Sequence, residues 1–380
     1  MNLRHLVGVG VAAVAIAASC HMAVADAPQG IVNPIVLQPF DPAGQSCNAP
    51  PGLQKSLTFV QDNRRDFIEG VGAGLSLAAA NRNLTYSTVV AEDDGKKMIA
   101  EIEAIGAAKG GAVVVAPVDP RSLTPSLQEL IANGVYVGAV VPPPAVTILN
   151  APQYLTGKTL ADAAAAYIQT MLGGRAKVVL LTHDSLQFLA PRFTAMRDVL
   201  SQLPGVTIVA DISPTPVSED GGYATMKTIL LAQPDINVVL GADTVVLGAL
   251  RALREAGKAN PRQFLGGIDG EPQAVAELRS PDSPYKASVS LASPIFGYAL
   301  GQYSADWLEG KVVPQAMDIL PSLLTRENID AYESDIAHPD AIWADAARRQ
   351  QYLRMYGGIC YDTRASYLNF PWSSESPPAN

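Results

Sequence analysis

Two aspartates that could bind a ligand come shortly after apolar runs in the second half of the chain. Asp243 follows the run from Ile236 to Leu240, and Asp269 follows the run from Phe264 to Ile268. The amphipathic segment between them ends at Gly257, which is typical of a helix terminated by glycine. Consecutive parallel strands end at one edge of their sheet, and ligands of open α/β sheets bind outside that edge. We therefore expect both carboxylates near a small-molecule site.

The residue patterns of the common enzyme classes are missing from this chain. The glycines of Gly70 to Gly74 have the wrong spacing for a phosphate-binding loop or a dinucleotide fingerprint, and they fall in a helical stretch where they allow close packing. Ser185 lies near His183 and Asp184, but sequence neighbours rarely converge as a catalytic triad. No histidine or cysteine cluster has the spacing of metal ligands. We expect a protein that is not an enzyme and that has neither a cofactor nor a metal.

Short apolar runs alternate with helical segments along two stretches, from Ser56 to Val141 and from Lys177 to Leu291. Strands that alternate with helices at this spacing predict parallel sheets covered on both faces. Three prolines at residues 142–144 end the first series, because proline fixes φ and lacks a backbone N–H. The pattern predicts an α/β protein with two lobes, each a parallel sheet flanked by helices.

Residues 1–25 have the layout of a secretory signal peptide. Arg4 precedes an apolar run from Leu6 to Ala18, and small residues at Ala23 and Ala25 mark a cleavage site. The run is too short to span a bilayer securely. Cys20 could instead carry a lipid, although alanine stands three positions earlier, where a larger aliphatic residue is usual. We expect export to the periplasm, with a membrane anchor or lipidation at Cys20 as alternatives.

The composition agrees with an exported protein that does not bind polyanions. The formal net charge of −9 becomes −10 once Arg4 leaves with the signal peptide. An acidic chain offers no electrostatic footprint for nucleic acid or anionic lipid. Cys47 and Cys360 would be the remaining cysteines, and we expect them to form a disulfide in an oxidising compartment; the alternative is two unrelated free thiols.

The stretches Gly248 to Leu253, Ala256 to Lys258 and Gly266 to Pro272 resemble the type I periplasmic solute-binding proteins of ABC transporters, the ribose-binding group in particular. A class of DNA-binding repressors shares this core, but export and the lack of a helix-turn-helix segment before the first strand argue against a repressor. The resemblance covers about residues 55–325. It implies a type I periplasmic-binding-protein fold with a hinge between the lobes, a small-molecule ligand, and delivery to an ABC permease or a membrane sensor by a monomer.

The resemblance also implies that the chain crosses between the lobes three times, near residues 143–156, 291–294 and 316–321. The expected organisation is a lead-in at 26–54, an N-lobe at 55–142 plus about 292–318, a C-lobe at about 156–291 plus about 319–332, and a C-terminal extension at 333–380. The extension holds many of the aromatic residues of the chain. We expect it to pack on the core, with a docking surface for a partner as the alternative.

Alignment with the ribose-binding pattern places a group of residues from both lobes in the cleft. They are Asp62, Arg64, Arg65, Phe67, Val141, Pro142, Arg192, Ala242, Asp243, Asp269 and Leu291. Hydroxyl-binding positions of the family are occupied here by Val141, Pro142, Ala242 and Leu291. Each unmatched buried polar group costs about 1 to 3 kcal/mol, so a ligand less polar than a free sugar is expected.

The retained arginines suggest what one end of the ligand carries. If Arg65 and Arg192 face the cleft, a carboxylate, a phosphate or several acceptor oxygens would match their donors. Other interpretations remain: Arg64, Arg65 and Arg192 could be solvated surface charges, and Asp243 could cap the helix that begins beside it. A periplasmic sensor or scaffold protein with a vestigial cleft is the alternative to a transport protein.

Overall fold

This computed structural model describes residues 36–140, 144–183, 186, 188–369 and 372–375. The expected signal peptide, Cys20, Val141 and Pro142 lie outside the described residues. Among the described residues, no helix is both long and apolar enough to cross a membrane.

Alternating strands and helices make up most of the described chain. The strands are β1 Ser56–Gln61, β2 Thr85–Val90, β3 Ala112–Ala116, β4 Tyr136–Ala139, β5 Thr147–Asn150, β6 Ala176–Leu181, β7 Val206–Ile212, β8 Val238–Gly241, β9 Phe264–Asp269, β10 Tyr285–Ser290, β11 Ala316–Ile319, β12 Ser322–Leu324 and β13 Leu353–Tyr356. The helices are α1 Asp66–Asn81, α2 Gly95–Ala107, α3 Pro120–Ala132, α4 Gln153–Met171, α5 Ala190–Ser201, α6 Glu219–Ala232, α7 Asp243–Glu255, α8 Pro272–Arg279, α9 Ser293–Leu308, α10 Ile329–Ala337, α11 Pro339–Ala344 and α12 Ala346–Tyr352, followed by a 3₁₀ turn at Tyr361–Ser366.

The strands form two separate sheets, which confirms the predicted two-lobed α/β fold. One sheet has the order β13-β11-β5-β4-β3-β1-β2 and the other has the order β12-β10-β9-β8-β6-β7. All pairings are parallel except those of β13 with β11 and of β12 with β10. Strands β3 and β4 are buried along their whole length, because α1, α2, α3 and α9 pack against the first sheet.

The first crossing between the lobes lies within the expected range of residues 143–156 but is shorter than that range. Thr147–Asn150 forms strand β5 of the first sheet, so the first lobe continues past its expected boundary at residue 142. This strand lies between β4 and β11. The chain leaves the first lobe only after Asn150 and then enters α4, which packs against β8, β9 and β10 of the second sheet. The strand has four residues with three of them fully buried, and nothing in its short pattern separated it from a connecting segment.

Close contact between α1 and α9 depends on glycine. A Cβ atom at Gly74 would lie 2.1 Å from the carbonyl oxygen of Pro294, and one at Gly297 would lie 2.2 Å from that of Val71. No side chain fits at such distances, so the backbones of the two helices touch. Gly70 and Gly74 therefore serve close helix packing, as the sequence predicted, whereas Gly72 faces Phe59 of β1 at an ordinary contact distance.

The C-terminal extension lies against the first lobe. Strand β13 pairs with β11 at the edge of the sheet. The Trp343 ring contacts the rings of Tyr298 and Tyr303 on α9, at centroid distances of 6.3 and 5.3 Å. Cys47 and Cys360 form a disulfide with a Cα–Cα distance of 6.2 Å, which confirms the predicted pairing and joins the lead-in to the extension.

Thiol chemistry tests this bridge. In protein that begins at Asp26, titration of the unfolded and unreduced chain should find no free thiol. Replacing Cys47 and Cys360 together by serine should lower the free energy of unfolding by about 2 to 4 kcal/mol, because the bridge restricts the unfolded chain. Urea unfolding of both proteins measures the difference. Two reactive thiols in the wild type, or equal stability of the two proteins, would contradict the assignment.

Candidate ligand-binding cleft

Charged residues follow β1 in the first lobe and β9 in the second lobe, at the carboxyl ends of both strands. Burial raises the pKa of Asp269 after β9, and the charges of Arg192 and of Arg65 after β1 oppose that rise. Burial also raises the pKa of Glu271, and the charge of Asp66 is one of several that add to it. Ligands of open α/β sheets bind outside such strand ends.

Arg192, in the first turn of α5, is the central cation of this region. Its side chain is 8% exposed, so it is not a surface charge. Its Nε donates a hydrogen bond to Oε1 of Gln153, and its Nη1 lies 3.6 Å from Oδ1 of Asp269. Burial lowers the pKa of Arg192, and the negative charge of Asp269 counteracts that effect. The guanidinium group stays charged, because arginine does not deprotonate in proteins.

Asp269 occupies an unusual backbone conformation at the end of β9. Its φ is 120° and that of the following Gly270 is 70°. A residue other than glycine at positive φ costs on the order of 1 to 3 kcal/mol and persists where the surroundings enforce it, most often at functional sites. Burial raises the pKa of its carboxyl, while Arg192 and then Arg65 lower it. The strained backbone and the ion pair hold the Asp269 carboxylate beside Arg192.

Asp243 lies beneath this surface. Its carboxylate is fully buried and accepts hydrogen bonds from the hydroxyl groups of Tyr285 at 2.6 Å and Ser288 at 2.7 Å. It also accepts one from the backbone N–H of Glu271 at 2.8 Å. Burial raises the pKa of Asp243 to about 6, and these donors counteract part of the rise. Asp243 thus fixes the turn between β9 and α8.

The alternative that Asp243 caps its own helix is wrong. It is the first residue of α7, the N-cap position is occupied by half-buried Ala242, and no side chain caps this helix. Leu291 is 2% exposed and packs in the core beside the second crossing, where Ala292 has a φ of 40°. Direct ligand contacts by Ala242, Asp243 and Leu291 stay predictions, and the structure places two of the three below the cleft surface.

The predicted residues of the first lobe pair with one another. Arg65 forms an ion pair with Asp62, and its Nε donates to Oδ1 of Asn63 at 2.8 Å. Nη1 of Arg64 lies 3.3 Å from Oε1 of Glu69 in an exposed pair, with 70% of the Arg64 side chain open to solvent. Arg64 therefore behaves as a solvated charge, whereas Arg65 is held by Asp62 and Asn63 of its own loop.

Each lobe has an aromatic side chain shortly after a strand, Phe67 after β1 and Phe188 after β6. The half-buried Phe67 ring packs on Phe296 of α9, with centroids 5.5 Å apart. In the second lobe, Phe188 is 43% exposed and Leu186 is 38% exposed on the segment that follows β6. The sequence prediction missed Phe188 and Leu186, although their position shortly after a buried strand was a usable signal.

The sequence prediction also missed Glu271, whose carboxyl in the turn after β9 has a strongly raised pKa. The side chain is half-buried, and burial together with the charges of Asp243, Asp269 and Asp66 raises its pKa to about 8. No hydrogen bond or ion pair of this carboxyl is found within the described part of the chain. Its position two residues after the strand-terminal Asp269 was the signal that could have identified it.

Carboxyl groups outnumber guanidinium groups where the lobes meet. Arg65 and Arg192 each have a carboxylate partner, whereas Glu271 and Asp66 have no ion pair in the described residues. An anionic ligand would need both arginines available, and their pairing with Asp62 and Asp269 opposes such a ligand. No group of three or more histidine, cysteine, aspartate or glutamate residues suited to a metal ion occurs in the described ranges.

Comparison with known proteins gives a family match and many structural matches. The profile of the periplasmic binding protein domain family matches residues 58–312. The fold is similar to a periplasmic ribose ABC transporter protein from Conexibacter woesei, with a TM-score of 0.66 at 21% identity over 75% of this chain and 96% of that one. It is also similar to a periplasmic solute-binding protein from Actinobacillus succinogenes with bound D-allose (TM-score 0.66, 18% identity, 73% and 99% coverage). A third match is a solute-binding protein from Thermotoga lettingae in complex with 5-methylthioribose (TM-score 0.62, 21% identity, 79% and 95% coverage).

The raised pKa of Glu271 predicts a pH dependence of stability. Between the ordinary pKa of 4.5 and the folded value of about 8, the unfolded carboxyl is ionised while the folded one still holds its proton. The unfolded state therefore binds fewer protons, and stability falls as pH rises through this interval. Relative to Glu271→Gln, the wild type should lose about 1 to 2 kcal/mol, allowing for solvent screening.

Urea unfolding of both proteins below, within and above this interval measures the effect. Glu333→Gln, which removes a carboxylate from an exposed ion pair with Arg279, is the matched control. A constant stability difference between wild type and Glu271→Gln at all pH values would show that Glu271 ionises as it does in water.

Proposed function

Because this chain belongs to the periplasmic binding protein domain family, we propose that it is an exported solute-binding protein that captures a small molecule between its lobes and delivers it to an ABC-type permease. The observation that carries the proposal is the buried pair of Arg192 with Asp269 at the carboxyl end of β9, together with the charged residues at the carboxyl end of β1 in the other lobe; a ligand would lie between these strand ends. A ligand bound there would contact both lobes, and its contacts with the closed form would shift the population toward closure.

The side chains of this region match a ligand that carries hydroxyl groups and an apolar part. Hydroxyl groups can donate to the carboxyl oxygens of Asp269 and Glu271 and can accept from the guanidinium of Arg192. The exposed Phe188 and half-buried Phe67 offer apolar surface to the remainder of the ligand. Solved structures of similar fold hold D-allose and 5-methylthioribose, and the second of these has this mixed character.

An acidic, partly apolar solute is the second candidate. It is favoured by the burial of Arg192, since a guanidinium group with little water around it binds a carboxylate strongly when the geometry allows two hydrogen bonds. To bind in this way, such a ligand would have to displace or share the contact between Arg192 and Asp269. The surplus of carboxyl groups opposes it, which is why we place it second.

The remaining parts of the proposal come from the sequence and the family. Residues 1–25 would direct export and would be removed, which places the mature protein in the periplasm. No chemical step is needed for capture and release. The protein would act as a monomer, without nucleic acid, and its macromolecular partner would be the permease or a membrane sensor.

Calorimetric titration tests the site and the ligand class together. The solutes are D-ribose, D-allose, 5-methylthioribose and D-gluconate, and we expect 5-methylthioribose to bind more tightly than D-ribose. Arg192→Ala should weaken binding by about 1.5 to 3 kcal/mol, roughly tenfold to a hundredfold or somewhat more, because a charge-assisted contact is lost. Arg279→Ala, which removes an exposed arginine of the same lobe, is the control and should bind as the wild type does.

Three results would count against parts of this proposal. Tight binding of D-ribose that is unaffected by Arg192→Ala would show that the cleft has been assigned wrongly. Preference for D-gluconate would favour the acidic class. Failure of all four solutes to bind, together with capture of a partner protein that depends on residues 333–380, would favour the scaffold alternative.

A further inference from the structure

The end of the C-terminal extension runs along the hinge between the lobes. The ring of Trp372 packs on Tyr356 of β13 in the first lobe, at a centroid distance of 5.1 Å. A hydrogen bond from the Ser374 side chain lowers the pKa of Asp318, although burial raises it overall. Asp318 also accepts a hydrogen bond of 2.7 Å from Nδ2 of Asn150. Asn150 and Asp318 lie at the ends of β5 and β11, near where the chain leaves the first sheet.

The next residue reaches the second lobe. Oε2 of Glu375 accepts a hydrogen bond from the backbone N–H of Tyr154 at 3.1 Å, and Oε1 accepts one from that of Leu155 at 2.6 Å. Both N–H groups belong to the first turn of α4. The N-cap residue of this helix is Pro152, which supplies no side-chain hydrogen bond. A carboxylate is well suited to this place, because the first turn of a helix has unpaired N–H donors and a positive dipole end.

The first turn of α4 is in turn in contact with the ligand-binding arginine. Gln153, the first residue of α4, accepts the hydrogen bond from Nε of Arg192. Four residues later, a Cβ atom at Gly157 would lie 1.9 Å from the carbonyl oxygen of Arg192, so the two backbones touch. A shift of this turn must therefore move Gln153, and with it the partner that orients the Arg192 guanidinium toward Asp269.

We propose that Glu375 is a positioning residue for ligand binding, because it fixes the first turn of α4 and thereby holds Gln153 and Arg192 in place. This inference rests on the proposed function, in which Arg192 contacts the solute. It assigns a role in the cleft to a residue of the extension, which lies outside the matched family region of residues 58–312. Glu375 itself touches no ligand.

Amide hydrogen exchange tests the coupling without any ligand. Three variants are compared with the wild type: Glu375→Ala, Glu375→Gln and the control Glu333→Ala, which removes a carboxylate of α10 that pairs with Arg279. In Glu375→Ala, amides of residues 154–157 and of the non-proline residues within 190–193 should exchange about fivefold faster, which is the effect of losing an N-cap. Glu375→Gln keeps an acceptor oxygen and should restore part of the protection. Glu333→Ala should leave both segments unchanged.

Ligand affinity supplies the second readout. With 5-methylthioribose as the probe, Glu375→Ala should bind about three- to tenfold more weakly than the wild type. In the Arg192→Ala background the same change should have no further effect, since a residue that acts through Arg192 has nothing left to position. A merely structural cap would weaken both backgrounds equally or neither.

The outcomes separate the two proposals. Faster exchange confined to residues 154–157, with normal exchange at 190–193, would overturn the inference and leave Glu375 as a helix cap. Failure of the wild type to bind any of the four solutes would count against the proposed function, whereas exchange at 190–193 would still decide the coupling. If Glu375→Ala fails to fold, Glu375→Gln carries the test, with a smaller change expected at both segments.

Discussion

Arg192 carries a buried positive charge, and the residues around it must offset the cost of removing that charge from water. Removing an ion from water costs several kcal/mol in a real protein, and this cost must be offset by partners with good geometry. Asp269 supplies the opposite charge and Gln153 supplies an oxygen acceptor. Each partner is itself held: Asp269 by a strained backbone at the end of β9, and Gln153 by its place in the first turn of α4.

Carboxyl groups are in surplus in the region where a ligand would bind. Burial raises the pKa of Glu271, and the charges of Asp243, Asp269 and, on the other lobe, Asp66 add to the rise, so ionisation of this carboxyl is costly. A solute that donates hydrogen bonds to these groups lowers that cost in the closed form and leaves the open form unaffected. Differential stabilisation of this kind is what a ligand needs in order to shift a two-state equilibrium.

The features that could be predicted from sequence are those with a local pattern. The alternation of apolar runs and helices predicted two sheets, and strand-terminal Asp269 predicted a residue at the edge where the lobes meet. Strand β5 was missed because a buried strand of four residues has no periodicity to distinguish it from a crossing segment. Strand β13, at the edge of the same sheet, comes from the extension, and its pairing with β11 depends on the path of the chain. The contact of Glu375 with Leu155 joins residues 220 positions apart, and no spacing rule connects them.

The disulfide fixes the start of the segment that carries Glu375 to the second lobe. Cys360 is bonded to Cys47, and the lead-in around Cys47 contacts the end of α9, where a Cβ atom at Gly310 would lie 2.6 Å from the backbone nitrogen of Ala49. The start of the tail is thereby fixed to the first lobe. Glu375 follows Cys360 by 15 residues. The segment between them is short and fixed at Cys360, so few positions are accessible to Glu375 and the N-terminus of α4 is within reach. Closing a short loop costs less entropy than closing a long one, and each doubling of length adds about 0.6 kcal/mol. The bridge that anchors the extension thus also favours the contact by which Glu375 holds α4.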